Sequence, residues 1–217
     1  MADPQTLRRI MVDTQVRPSD VTKFPIIGAM LAIPREAFVP SSEEAVAYRD
    51  APVPLAGGRE MPAPRTIAKL LDAIDPEGHE NVLIVGAGLG YSAALLSRMT
   101  ASVVAVEEEG DMARDAEAAL TAQGIDNAVV VTAPLTEGQP KAAPYDIILI
   151  EGGVEQIPDA LVEQLKEGGR MAAIFMEGVL GEARIGVMAE GHMGWRTAFN
   201  ADALVLPGFA KTRAFTL

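Results

Sequence analysis

Between residues 81 and 175 the chain carries five short apolar runs: Asn81–Val85, Ser102–Val106, Ala128–Val131, Tyr145–Ile150 and Arg170–Phe175. They are rich in Val and Ile and do not alternate with polar residues. That pattern suits strands covered on both faces, as in a parallel sheet. Helical spacing fills most of the gaps, at Tyr91–Met99, Asp111–Gln123 and Pro158–Lys166. Strand alternating with helix predicts an α/β fold with a doubly wound, mostly parallel sheet and right-handed crossovers. Residues 183–217 read as two or three closing strands, with an antiparallel hairpin around Glu190–Trp195.

The first third follows another rule. Prolines 18, 25, 34, 40, 52, 54, 62 and 64 forbid long helices and central strands there. Short helices are predicted at about residues 4–15, at Pro25–Ile33 and at Thr66–Ile74, with loop and extended pieces from Arg35 to Pro64. The expected organisation is an N-terminal segment of helices and loop, 1–78, covering the active site of a sheet domain, 79–217, in one compact unit.

Composition narrows the function. Lys and Arg number 18 against 30 Asp and Glu, a net charge of −12, so a nucleic-acid partner is not expected. With no cysteine and only His79 and His192, neither a thiolate nucleophile nor a histidine-rich or cysteine-bound metal site is expected. The opening MADPQTLRRIM is polar and no apolar run reaches the roughly 18 residues of a membrane span, so the expected location is the cytoplasm.

The stretch Val82-Leu-Ile-Val-Gly86-Ala-Gly88-Leu-Gly90-Tyr91 runs a strand into three glycines and then a helix. Glycine allows the tight turn and lets a ligand approach bare backbone. A dinucleotide fingerprint asks for glycine at position 91, where Tyr stands; the tighter spacing suits a nucleoside across the strand ends. Glu107 ends the next predicted strand, where a carboxylate can accept from both ribose hydroxyls. The plainer reading is a tight turn and a solvated acid.

Other segments carry a resemblance. Met11-Val12…Gln15-Val16-Arg17, Ile33-Pro34-Arg35-Glu36-Ala37-Phe38-Val39-Pro40, Ala47-Tyr48-Arg49-Asp50 and Gly86–Leu96 are followed by Ala143–Ile150, Ile157-Pro-Asp-Ala-Leu161 and Gly168-Gly169-Arg170. In these the chain resembles the protein-L-isoaspartate O-methyltransferase family over nearly its whole length, as a divergent bacterial branch. The resemblance implies a Rossmann-like fold, S-adenosyl-L-methionine as cofactor and isoaspartyl carboxylates of damaged proteins or peptides as acceptors. It places Gly86, Gly88 and Gly90 at the cofactor, Glu107 on its ribose, and the loop Gly57–Pro64 facing the methyl group. Tyr91, at the start of the following helix, reads as core packing or, alternatively, as a cofactor-binding residue with its hydroxyl near the cofactor carboxylate.

Three departures stand out. The family loop Gly-Gln-Thr-Ile-Ser-x-Pro reads Gly58-Arg-Glu-Met-Pro62-Ala-Pro64; Ile84 replaces an acid; and Thr132-Ala-Pro-Leu135 replaces the Gly-Asp-Gly whose acid contacts adenine. Methyl transfer to a carboxylate needs positioning more than acid–base help, because the nucleophile is already ionised at neutral pH. Arg59 is a candidate for gripping the acceptor carboxylate, with Glu60 beside it; alternatively Arg59 is solvated or pairs with Glu60. Glu151, at the carboxyl end of a central strand, could take a proton from a hydroxyl acceptor, which favours a small molecule; alternatively it caps a helix or is solvated. A member without catalysis, binding a nucleoside or a protein partner, is the third reading.

Overall fold

The computed structural model describes residues 3–211. Helix α1 (Pro4–Met11) starts on Asp3, whose carboxylate accepts the Thr6 amide, and passes into a π-helical turn at Val12–Val16. Helix α2 spans Phe24–Ala32, and a two-stranded ribbon pairs β1 (Val53–Pro54) with β2 (Glu60–Met61). Helix α3 (Pro64–Ile74) ends on Asp75 in the left-handed region. Then β3 (Asn81–Val85), α4 (Tyr91–Ser97), β4 (Ser102–Glu107), α5 (Gly110–Ala122) and β5 (Ala128–Thr132) alternate. They are followed by β6 (Tyr145–Val154), a single turn α6 (Asp159–Val162), β7 (Leu165–Glu177), β8 (Leu180–Ala189) and β9 (His192–Asn200).

The seven-stranded sheet has the order β5-β4-β3-β6-β7-β8-β9. Its first five strands run parallel, and β8 and β9 close it antiparallel. The doubly wound α/β expectation therefore holds, as does the hairpin at Glu190. The helix expected over Pro158–Lys166 is cut to one turn. There the Gln164 carboxamide accepts the Gln139 amide and donates to the Glu137 and Ala160 carbonyls, while the Gln164 carbonyl accepts the Tyr145 amide. Held by these bonds, the chain turns into β7 at Leu165.

Alternate residues of each central strand enter two apolar layers. Val82, Ile84, Val103, Ala105, Ile147 and Leu149 meet residues of α1 to α4, so the N-terminal segment shares its core with one face of the sheet. Leu83, Val85, Val106, Ile148 and Ile150 meet Leu135, Leu161, Leu206 and Phe209 on the other.

At the amino end of the sheet, Arg170 on β7 grips the buried Glu80 carboxylate through both oxygens, at 2.8 and 2.9 Å, and donates to the Ile74 and Asp75 carbonyls. This pins the end of α3 to the sheet. Removing one member of a buried pair strands the other charge. Arg170→Ala is therefore expected to lower the unfolding free energy by about 3 kcal/mol in urea titrations at pH 7; a loss under about 1 kcal/mol, the level of an exposed pair, contradicts this account.

Candidate functional site

Open parallel sheets bind ligands beyond the carboxyl ends of their strands, where neighbouring crossovers part. Here that place lies between β3 and β6, from which the chain departs to opposite faces. Gly86, Gly88 and Gly90 adopt φ of 79°, 56° and 91°, values that L side chains rarely take, and so wind the chain from β3 into α4. Gly86 and Ala87 donate to the Val106 carbonyl, which keeps the turn flat against the end of β4.

Glu107 closes β4 with no exposed surface. Its Oε2 accepts the Gly88 amide at 2.8 Å, and its Oε1 accepts the Glu108 and Glu109 amides at 2.9 and 3.2 Å. The acid is thus seated on the glycine turn and is not solvated; Glu108 is half-buried and Glu109 exposed. Arg59 reaches the same carboxylate from the β1–β2 ribbon. Its Nη1 donates to Glu107 Oε1 at 2.9 Å and its Nη2 to the Gly86 carbonyl at 2.8 Å. It is buried, so it is neither solvated nor paired with Glu60. Glu60 instead turns to the C-terminal segment and accepts the Leu204 amide at 3.3 Å.

Glu151 lies inside β6, which runs four residues further than the apolar pattern indicates, to Val154. It is buried, it caps no helix, and its Oε2 has no partner. Burial pushes its carboxyl up to about 7, against the pull of Ser92, Arg59 and Arg35. Tyr91 is fully buried against Phe38, with its hydroxyl unpartnered and raised by burial. Arg35 stacks over the Tyr91 ring at 4.9 Å and donates to the Ala47 and Pro62 carbonyls; its Nη1 has no partner, and burial lowers its pKa.

Arg35, Ser92 and Leu206 were not singled out from sequence as site residues. Arg35 sits in the Pro-Arg-Glu segment and Ser92 follows Tyr91, so both lay within reach of a reading by position. Nothing in the local sequence marks Leu206. Asp146, at the opposite strand end, pairs with Lys166 and accepts the Asn81 amide. His79 and His192 are exposed, and among the described residues no cluster of His, Asp and Glu could hold a metal. No described helix is long and apolar enough to cross a membrane.

The family model for protein-L-isoaspartate(D-aspartate) O-methyltransferase matches residues 10–177. A protein-L-isoaspartate O-methyltransferase of Methanoculleus marisnigri is 38% identical over 173 residues, 79% of each chain. One from Rhodopseudomonas palustris is 40% identical over 161 residues, 74% of each. Among solved structures, a Plasmodium falciparum protein-L-isoaspartate O-methyltransferase in complex with S-adenosyl-L-homocysteine superposes with a TM-score of 0.80 at 17% identity, covering 95% of this chain and 99% of its own.

Glu151 carries a pH signature. Folded, it holds its proton up to about pH 7; unfolded, only to about its ordinary 4.5. Across that window the folded state binds more protons, so stability falls as pH rises. Glu151→Gln removes the dependence. Relative to wild type it is expected to gain ~3 kcal/mol between pH 4.5 and 8 in urea unfolding; a difference that does not change with pH contradicts the assignment.

Proposed function

The chain belongs to the protein-L-isoaspartate O-methyltransferase family, which consists of S-adenosylmethionine-dependent enzymes. On that premise we propose that its Gly86–Gly90 crevice binds S-adenosyl-L-methionine and that it methylates the carboxylate of isoaspartyl residues in proteins or peptides. The observation that carries this reading is the Glu107 carboxylate, fully buried at the end of β4 and held by the Gly88 amide over a turn of three left-handed glycines.

The donor set fits the cofactor in kind. The glycine backbone puts no side chain of its own in the way of a nucleoside, and the Glu107 carboxylate, where Arg59 now donates, is of the kind that accepts from ribose hydroxyls. When bound, the cofactor supplies an electrophilic methyl group on a sulfonium. The remaining work falls to this chain: to align the acceptor and keep water out. The tip of the β1–β2 ribbon, with Arg59 and Glu60, and β6 with Glu151 face each other across a cavity of about 60 Å³, which Leu204 to Pro207 also line. Glu151 suits an anionic acceptor once its raised pKa is considered. With a pKa of about 7 it is largely neutral below that pH and can donate to an acceptor carboxylate instead of repelling it.

Incubation with labelled cofactor and an isoaspartyl peptide is expected to give a base-labile methyl ester. No ester at saturating cofactor overturns the proposal. A hydroxyl-bearing small molecule is the second reading, favoured by the unpartnered Glu151 Oε2 and a pKa suited to a general base at neutral pH. Glu151→Gln separates the two. A loss of roughly a hundredfold or more marks a base, whereas ester formation on the isoaspartyl peptide that holds within about threefold marks a group that only shapes the site.

A further inference from the structure

The crevice that a nucleoside needs is filled by the chain's own side chains. A Cβ at Gly86 would lie 3.0 Å from Arg59 Nη2 and 3.2 Å from Leu206 Cδ1, and one at Gly88 only 2.8 Å from Leu55 Cδ1. Leu55 and Arg59 flank the tip of the β1–β2 ribbon, where the Leu55 amide donates to the Arg59 carbonyl and the Arg59 amide to the Ala56 carbonyl. Leu206 comes from the C-terminal segment, which binds the end of β6 through Gly153. The space left beside this plug is about 60 Å³ on the Glu151 side and about 240 Å³ on the side of Leu55, Ala56 and Leu89, each below the roughly 300 Å³ or more of sites for ligands of this size. A cavity of about 640 Å³ beside Lys23, Asp75 and Arg170 lies at the amino end of the sheet, away from the glycines.

Arg59 does more than occupy volume. Its guanidinium supplies the charged donor to Glu107 Oε1 and the donor to the Gly86 carbonyl. A ribose hydroxyl asks for the same carboxylate as a neutral donor, and a neutral hydrogen bond in a buried site does not replace an ion pair. We propose that Arg59 is a resident competitor for Glu107, so that a nucleoside binds the Gly86–Gly90 crevice only as Arg59 withdraws, and that this residue sets cofactor affinity. The inference rests on the reading of that crevice as a nucleoside site. Withdrawal has a hinge: Gly57 and Gly58, both exposed, hold φ of 66° and 69° at the ribbon tip.

Calorimetric titration with S-adenosyl-L-homocysteine tests this without turnover. Arg59→Gln keeps a neutral hydrogen-bonding side chain and removes the charge; it is expected to bind at least tenfold more tightly than wild type, about 1.4 kcal/mol. Leu206→Ala opens space but leaves the ion pair, and is expected to gain less than threefold. An equal gain in both variants means simple crowding and overturns the role of Arg59. Wild-type binding that Arg59→Gln does not improve also overturns it, while leaving the proposed activity standing. Tighter binding by Arg59→Gln with no ester on an isoaspartyl peptide from either protein defeats the activity and keeps the inference. Absence of binding by every folded variant defeats both. Should Arg59→Gln fail to fold, amide exchange on wild type decides. Millimolar S-adenosyl-L-homocysteine is expected to protect Gly86–Gly90 and speed exchange at Leu55 and Arg59; added protection at those two amides overturns the proposal.

Discussion

The Arg59–Glu107 pair joins the two halves of the molecule at the point where its chemistry is expected. Glu107 is fixed by the sheet: it ends β4 beside β3, and the Gly88 amide holds its carboxylate over the glycine turn. Arg59 is fixed by a ribbon of two residue pairs, Val53 with Met61 and Pro54 with Glu60. A two-stranded ribbon of that length has little stability of its own. What anchors its tip is the ion pair with the bond to the Gly86 carbonyl, the packing of Leu55 on Gly88 and the contact of Glu60 with the Leu204 amide. The ribbon and the crevice therefore form one unit, and a change in either alters the other.

The changes in the family loop take on meaning from this geometry. Pro62, which stands where the family loop has serine, stiffens the return of the ribbon toward α3, whose first residue is Pro64, a proline the family loop shares, where a missing N–H is harmless. Pro62 keeps its carbonyl free to accept from buried Arg35. The basic residue of the loop, Arg59, faces inward to Glu107, while the acidic one, Glu60, faces the C-terminal segment. Loop and tail thus close over the strand ends from two sides, and Leu206 and Arg59 meet above Gly86.

How legible this was differs by layer. The parallel strands were readable because burial on both faces leaves an unbroken apolar run; Asn81–Val85 is reproduced residue for residue. Where β6 continues through Glu151-Gly-Gly to Val154, the continuation is set by pairing with β7 and by the tail bridging to Gly153, contacts that no local pattern encodes. The glycine turn and Glu107 were readable because each needs a particular residue type at a particular strand end. The partner of Arg59 was not. A guanidinium at the end of a ribbon turn can reach several carboxylates, and the choice of Glu107 over Glu60 depends on how the ribbon folds down onto the sheet. Leu206 was unreadable for a related reason: an apolar residue near the end of a chain carries no sign of what it covers.

Most of the unpartnered buried polarity among the described residues gathers in one place, with Gln15 Oε1 and Glu43 Oε2 apart from it. Buried side-chain atoms without a partner include Arg35 Nη1, Arg59 Nε, Tyr91 OH, Ser92 Oγ and Glu151 Oε2. These residues neighbour one another: Arg35 stacks on Tyr91, and Arg59, Arg35 and Ser92 all act on Glu151. Each such atom costs on the order of 1–3 kcal/mol when left dry. The Arg170–Glu80 pair and the Gln164 carboxamide, by contrast, are matched closely. The positions of the unpartnered atoms beside Arg59 and the glycine turn set a polar interior directly behind the strand ends, where the chemistry of the site is proposed to lie.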